Sequence, residues 1–116
     1  MNKKKVLIVE DDRVVQSGYC RALDDRVALL HAFSIEQARI MFHANSGLAL
    51  IVMDGFMPGD VSTIPLVHEF RAAGFTGPML ASSTSAEISL KLVEAGCSYK
   101  CPKRGVVAEI ELLFDL

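Results

Sequence analysis

Short unbroken apolar runs alternate along this chain with stretches whose apolar residues recur at helical spacing. The runs at Lys5–Val9, Arg26–Leu30, Leu48–Met53, Pro78–Ala81 and Cys97–Cys101 predict five strands. The second is the weakest of them. Between the runs, Val15, Tyr19 and Leu23 (or Ala22) mark the inner face of a helix capped by Asp12 or a neighbour. Ser34-Ile-Glu-Gln37 has capping-box spacing and opens a second helix through Ile35, Ala38 and Phe42. A third starts near Ser62 or Thr63, where Pro65 is tolerated in the first turn, and turns Leu66, Val67 and Phe70 inward. The fourth runs from about Ala86 to Glu94 with Ile88, Leu92 and Val93 inward, and Gly96 punctuates its end. The fifth spans about Val106 to Leu113. Strict strand–helix alternation of this kind predicts an α/β fold, a five-stranded parallel sheet with helices on both faces.

Size and composition fit one domain over residues 1–116. The chain is 51% hydrophobic and 22% charged, enough apolar material for a core. A net charge of −2 gives no electrostatic case for direct nucleic-acid binding. The basic start, Met1-Asn-Lys-Lys-Lys5, precedes too short an apolar run for a signal peptide, and no stretch approaches a membrane span, so the expectation is a cytoplasmic protein without membrane association. Cys20, Cys97 and Cys101 make an odd count without a disulfide framework and read as small hydrophobes. His31, His43 and His68 have no ligand spacing and read as ordinary, partly exposed histidines. No glycine-rich phosphate loop is present.

The chemistry lies at strand ends. Leu48–Met53 stops at Asp54, and Gly55, Pro58 and Gly59 follow in a turn. Lys5–Val9 stops at Glu10-Asp11-Asp12. In open α/β sheets ligands bind at the carboxyl ends of the strands. If the two runs are neighbours, Asp11, Asp12 and Asp54 meet there, and each close carboxylate pair costs roughly 4 kcal/mol at ~4 Å and an effective dielectric of about 20. Such a group needs protons or a cation, and hard oxygen donors suit Mg2+, which also binds phosphate oxygens. Phosphoryl transfer at or near a carboxylate is the chemistry this suggests. Asp11-Asp12 also fits a plain acidic helix start, Ser82–Ser85 a cap and turn, and Lys103-Arg104 solvated surface charge.

With these strand ends placed, the chain resembles a response-regulator receiver domain of two-component signalling, similar to the chemotaxis regulators. The resemblance covers essentially all 116 residues. It rests on the acidic pair Asp11-Asp12, on Asp54 followed at four residues by Pro58, on a strand that opens with Pro78 and ends in hydroxyls, and on a basic residue after the fifth strand. It implies a flavodoxin-like (βα)5 fold with strand order 2-1-3-4-5. Asp54 would accept a phosphoryl group from a phosphohistidine on a sensor histidine kinase or phosphotransfer protein. Mg2+ would be held by Asp12 and Asp54, by Asp11 through water, and by the Phe56 carbonyl. Ser83, five residues after Pro78, and Lys103, seven after Gly96, would contact phosphoryl oxygens. Ser83 and Tyr99 would switch the surface formed by the fourth helix, fifth strand and fifth helix, which would meet an output protein or domain or a second copy in a dimer. The implied role is a phosphorylated signalling domain that assists only its own phosphorylation and dephosphorylation, and not an enzyme.

The chain departs from the family at several points. The usual Lys-Pro, joined by a cis peptide, is here Pro102-Lys103, which leaves Cys101–Pro102 as the bond available for a cis form and puts the lysine on the other face if the strand continues. Counting back from Gly96 favours Ser82 or an earlier residue over Ser83, Thr84 stands where the family has Ala or Gly, Val61-Ser62 replaces Asp-Gly, and Tyr99 falls one residue early. These changes motivate an alternative, a pseudo-receiver binding module of the same fold that does not switch by phosphate. A third reading, a small Mg2+-dependent phosphotransfer enzyme, lacks residues for a substrate pocket. No output domain follows Leu116, which fits either a single-domain regulator or a piece of a longer chain.

Overall fold

A computed structural model describes residues 3–116; Met1 and Asn2, the first two residues of the basic start, lie outside the described residues. The elements in chain order are β1 (Lys4–Val9), α1 (Arg13–Leu23), β2 (Val27–Ala32), α2 (Ile35–Ala44), β3 (Leu48–Asp54), β4 (Phe56–Met57), β5 (Val61–Ser62), α3 (Ile64–Ala72), β6 (Met79–Ser82), α4 (Ala86–Ala95), β7 (Tyr99–Cys101), a 3-10 turn (Lys103–Gly105) and α5 (Val106–Phe114). The main sheet is parallel throughout with order β2-β1-β3-β6-β7. That is the expected 2-1-3-4-5 once the small antiparallel β4–β5 hairpin is set aside. Two-residue strands carry no alternation, so this hairpin leaves no trace in the hydrophobic pattern.

Side-chain alternation along the strands divides the core in two. Leu7, Val9, Ile51, Met53, Met79 and Ala81 pack on one face with Ala38, Leu66, Val67, Phe70 and Leu92, from α2, α3 and α4. Val6, Ile8, Leu50, Val52 and Leu80 pack on the other with Tyr19, Leu23, Val106 and Ile110, from α1 and α5. Both faces of the central strands are covered, which is why they read as continuous apolar runs. Among the described residues no helix is long and apolar enough to cross a membrane.

Several expected strand limits move by one residue, and two move by two. β2 runs on to Ala32, because Ala32 continues the register opposite Val9. The last strand starts at Tyr99 and not Cys97, because the Gly96 and Cys97 N–H groups both donate to the Leu92 carbonyl and so still close α4. Gly96 holds φ 142°, which a side chain rarely adopts.

The ends of α3 and α4 are joined by Arg71. Its Nε and Nη2 donate to the Gly96 carbonyl at 3.0 and 2.9 Å, and its Nη1 donates to the Phe75 and Gly77 carbonyls at 2.8 and 2.7 Å. A planar fork reaches three loop carbonyls that a lysine ammonium cannot reach together. Arg71→Ala is expected to cost about 2 kcal/mol in urea denaturation, with Arg71→Lys recovering little of it.

Candidate functional site

The parallel register decides which acids meet. Val9 lies beside Met53, and both belong to the α2–α4 face. One residue on, Glu10 and Asp54 therefore turn together to the α1–α5 face. Carboxylate oxygens of Glu10, Asp11 and Asp54 all lie within 4.8 Å of one another. Glu10 stands where the expectation put Asp12. The Asp12 carboxylate points away and caps α1, accepting from the Val14 and Val15 N–H groups at 2.8 and 3.3 Å. The Glu10 backbone N–H still pairs with the Ala32 carbonyl at 3.0 Å, which holds it in the ladder beyond the end of β1.

Glu10 is 1% exposed and Asp54 6%. Lys103 serves both: its Nζ lies 2.9 Å from Glu10 Oε1 and 3.3 Å from Asp54 Oδ2. The reversed Pro102-Lys103 order does not turn the lysine away, because β7 ends at Cys101 and Lys103 opens a 3-10 turn, where strand alternation no longer applies. Tyr19, 5% exposed, steadies that turn by donating its hydroxyl to the Lys103 carbonyl at 3.3 Å. No peptide bond among the described residues is cis, so Cys101–Pro102 is trans.

Burial pushes the Glu10 carboxyl up to about 7, with the Asp54 charge adding to the effect and Lys103 opposing it. Burial also raises Asp54, against the charge and hydrogen bond of Lys103, a hydrogen bond with Glu10 and the Gly55 N–H. Burial alone would lower the Lys103 ammonium, but its bond to Glu10 and the two carboxylate charges carry it upward.

Ser82 and Ser83 part company at the end of β6. Ser82 is level with Asp54 but turns toward the Tyr19 phenol. Ser83 turns toward the loop after Asp54: its Oγ would lie 3.4 Å from a Cβ on Gly55, and it accepts the Ser85 N–H at 3.2 Å. The same Cβ would meet Ile88 Cγ2 at 2.3 Å, so α4 packs against this loop only because residue 55 is glycine. Phe56 opens the hairpin with its side chain 41% exposed, Thr84 is exposed, and Tyr99 is 44% exposed on the edge strand.

Thr63 has a role beyond starting α3. Fully buried, it donates its hydroxyl to the Asp54 and Gly55 carbonyls, and its N–H donates to Gly55 O at 3.1 Å, which fixes the loop that follows Asp54. Of the cysteines, Cys97 is buried and Cys20 and Cys101 are half-buried, all free. His43 and His68 are exposed. His31 is not ordinary: its Nδ1 meets the buried Gln16 amide.

The arrangement suits a hard divalent cation. It offers carboxylate oxygens from three residues, and one of them, Glu10 Oε1, is buried without a well-aligned hydrogen-bond donor although the Lys103 charge is near. At these separations each carboxylate pair repels by roughly 3 kcal/mol at an effective dielectric of about 20, and the Lys103 ammonium pairs with two of the three acids.

Structure comparison places this fold in a defined class. The solved structures it matches are consistently response-regulator receiver domains. The receiver domain of Francisella response regulator 1452 is 19% identical, with 97% of this chain and 98% of that one covered at a TM-score of 0.81. A CheY-like receiver domain from Methanospirillum hungatei is 18% identical, with 98% and 95% covered at 0.80. A two-component response regulator from Clostridium difficile is 17% identical, with 97% of each chain covered at 0.83. No protein-family model and no curated protein sequence matches the chain. The chain therefore has the fold of the response-regulator receiver domain over nearly its whole length.

Proposed function

We propose that this chain is a signalling receiver in two-component phosphotransfer, with Asp54 as the phosphoacceptor. The observation that carries the reading is the convergence of Glu10, Asp11 and Asp54 with Lys103 at the carboxyl edge of a parallel sheet. In this reading an Asp54 carboxylate oxygen attacks the phosphorus of a phosphohistidine on a partner kinase or phosphotransfer protein. The new O–P bond forms as the P–N bond breaks, and its electron pair returns to the imidazole. Glu10, Asp11 and Asp54 hold Mg2+, with the Phe56 carbonyl as a further donor, and the bound ion supplies neutralisation of charge on the phosphoryl oxygens. Asp12 serves α1 in place of the direct role expected for it. Lys103 leaves its pairing with Asp54 to meet a phosphoryl oxygen, and the Ser83 hydroxyl donates to another.

Phosphorylation adds about −1.5 to −2 charge at Asp54. Ser83 and Tyr99 repack in response and alter the α4–β7–α5 surface, where Leu90, Tyr99 and Leu112 are exposed. That surface is the proposed contact for an output protein or domain, or for a second copy. The protein acts in the cytoplasm and catalyses no turnover of a diffusible substrate.

Intact mass after incubation with acetyl phosphate tests the reading. Wild type is expected to gain one phosphoryl group only when Mg2+ is present, and Asp54→Asn none. Equal labelling of Asp54→Asn would sink it. A wild type that stays folded, binds Mg2+ and gains nothing would favour the pseudo-receiver, with the exposed Thr84 beside Ser83 as the first residue to revert.

A further inference from the structure

Gln16 lies on α1 among apolar neighbours and is 2% exposed. Its Nε2 shares its two N–H groups among three carbonyls, those of Ile8 at 3.1 Å, Glu10 at 3.0 Å and Ala32 at 3.2 Å. Three acceptors around one nitrogen fix which way the amide points. Its Oε1 then faces His31 Nδ1, so that ring nitrogen carries the proton and donates. The Glu10 backbone is thereby tied at both ends, its N–H to Ala32 O and its C=O to Gln16. Glu10 is also the most buried of the three acids, and it holds the carboxylate oxygen without an aligned donor. Repulsion from Asp54 and Asp11 drives such a side chain outward unless its backbone is held.

We propose that Gln16, oriented by His31, is a positioning residue for the cation site: it anchors the Glu10 backbone where β1 meets β2 so that the carboxylate stays aimed at Asp11 and Asp54. The inference rests on the acid group being a Mg2+ site, the reading given above. It goes beyond that reading in assigning the affinity of the site to a glutamine and a histidine that touch no cation.

The test is calorimetric titration of Mg2+ alone into the full chain, without phosphodonor, on wild type, Gln16→Met, Glu10→Gln and the double variant. Gln16→Met keeps the length and apolar fit of the side chain but removes the amide from the Ile8, Glu10 and Ala32 carbonyls, of which Ala32 O keeps the Glu10 N–H. Mg2+ affinity is expected to fall about ten-fold, the scale seen when residues that orient metal ligands are removed. In the Glu10→Gln background the same change is expected to have no further effect, because the group being positioned is gone. A residue that only supports the fold would weaken both backgrounds alike. If Gln16→Met fails to fold, His31→Leu decides: it keeps the amide and its carbonyl contacts, removes the orienting donor, and is expected to weaken Mg2+ about three-fold, below the range for a residue that orients a metal ligand directly. Affinity within error of wild type in Gln16→Met, or in His31→Leu where that variant decides, overturns the proposal, and so does a wild type that binds no Mg2+. A wild type that binds Mg2+ but takes up no phosphoryl group overturns the receiver reading and leaves the Gln16 result standing on the titration.

Discussion

Lys103→Met is expected to destabilise the metal-free protein by about 3 kcal/mol at pH 8 and by much less at pH 5. The lysine is the one cation within reach of Glu10 Oε1 and Asp54 Oδ2 among the described side chains, at 2.9 and 3.3 Å. Removing it leaves two buried carboxylates facing each other, and removal of one partner of a buried ion group costs more than the group gained by forming. At pH 5 Glu10 is already protonated, since its carboxyl is pushed up to about 7, so one of the two carboxylate charges is absent there. The same variant is expected to bind Mg2+ more tightly than wild type, because the ammonium no longer competes for the two oxygens. Urea denaturation at the two pH values, with and without Mg2+, reads all three effects. Equal destabilisation at pH 5 and pH 8 would mean that Lys103 acts by packing and not by charge.

Wild type itself is expected to lose stability between about pH 5 and pH 8 when no metal is present. Glu10 has a folded value of about 7 against an ordinary 4.5, so the folded state binds more protons than the unfolded chain between those values. Its contribution is fully present below about 4.5 and is lost as pH rises through about 7, an effect on the order of 3 kcal/mol. Asp54 is raised by the same burial and adds in the same direction. Lys103, also raised, works in the opposite region: its contribution is present up to its ordinary 10.5 and disappears above that. Glu10→Gln is expected to flatten the profile and to be more stable than wild type at pH 8. Added Mg2+ is expected to stabilise wild type most at the alkaline end, where Glu10 is ionised. A flat metal-free profile in wild type would show that Glu10 is solvated and that the acids do not crowd.

The contrast between Glu10 and Asp12 shows where the sequence was readable and where it was not. Apolar runs, helical spacing and turn residues made the five main strands and the five helices legible along the chain, because all of them but the edge strand Tyr99–Cys101 bury a face. Asp54 was legible for the same reason, as the residue on which a largely buried strand ends. Choosing among Glu10, Asp11 and Asp12 depended on register between β1 and β3, a long-range relation that composition does not carry. Lys103 looked misplaced by one residue only while the last strand was taken to continue; a 3-10 turn after Cys101 resets its direction. Gln16 and Thr63 were invisible because a buried amide and a buried hydroxyl declare themselves only through the carbonyls they meet.

The most direct test of the central claim is to map the phosphoryl group. An acyl phosphate is reduced by borohydride to an alcohol, which converts a phosphorylated aspartate to homoserine and leaves a free aspartate untouched. Wild type treated with acetyl phosphate and Mg2+, reduced and digested, is expected to show homoserine at residue 54 and at none of Asp11, Asp12 or Asp60. Homoserine at another aspartate, or none at all in a protein that binds Mg2+ at the Glu10–Asp11–Asp54 group, would contradict the assignment of Asp54 as the acceptor.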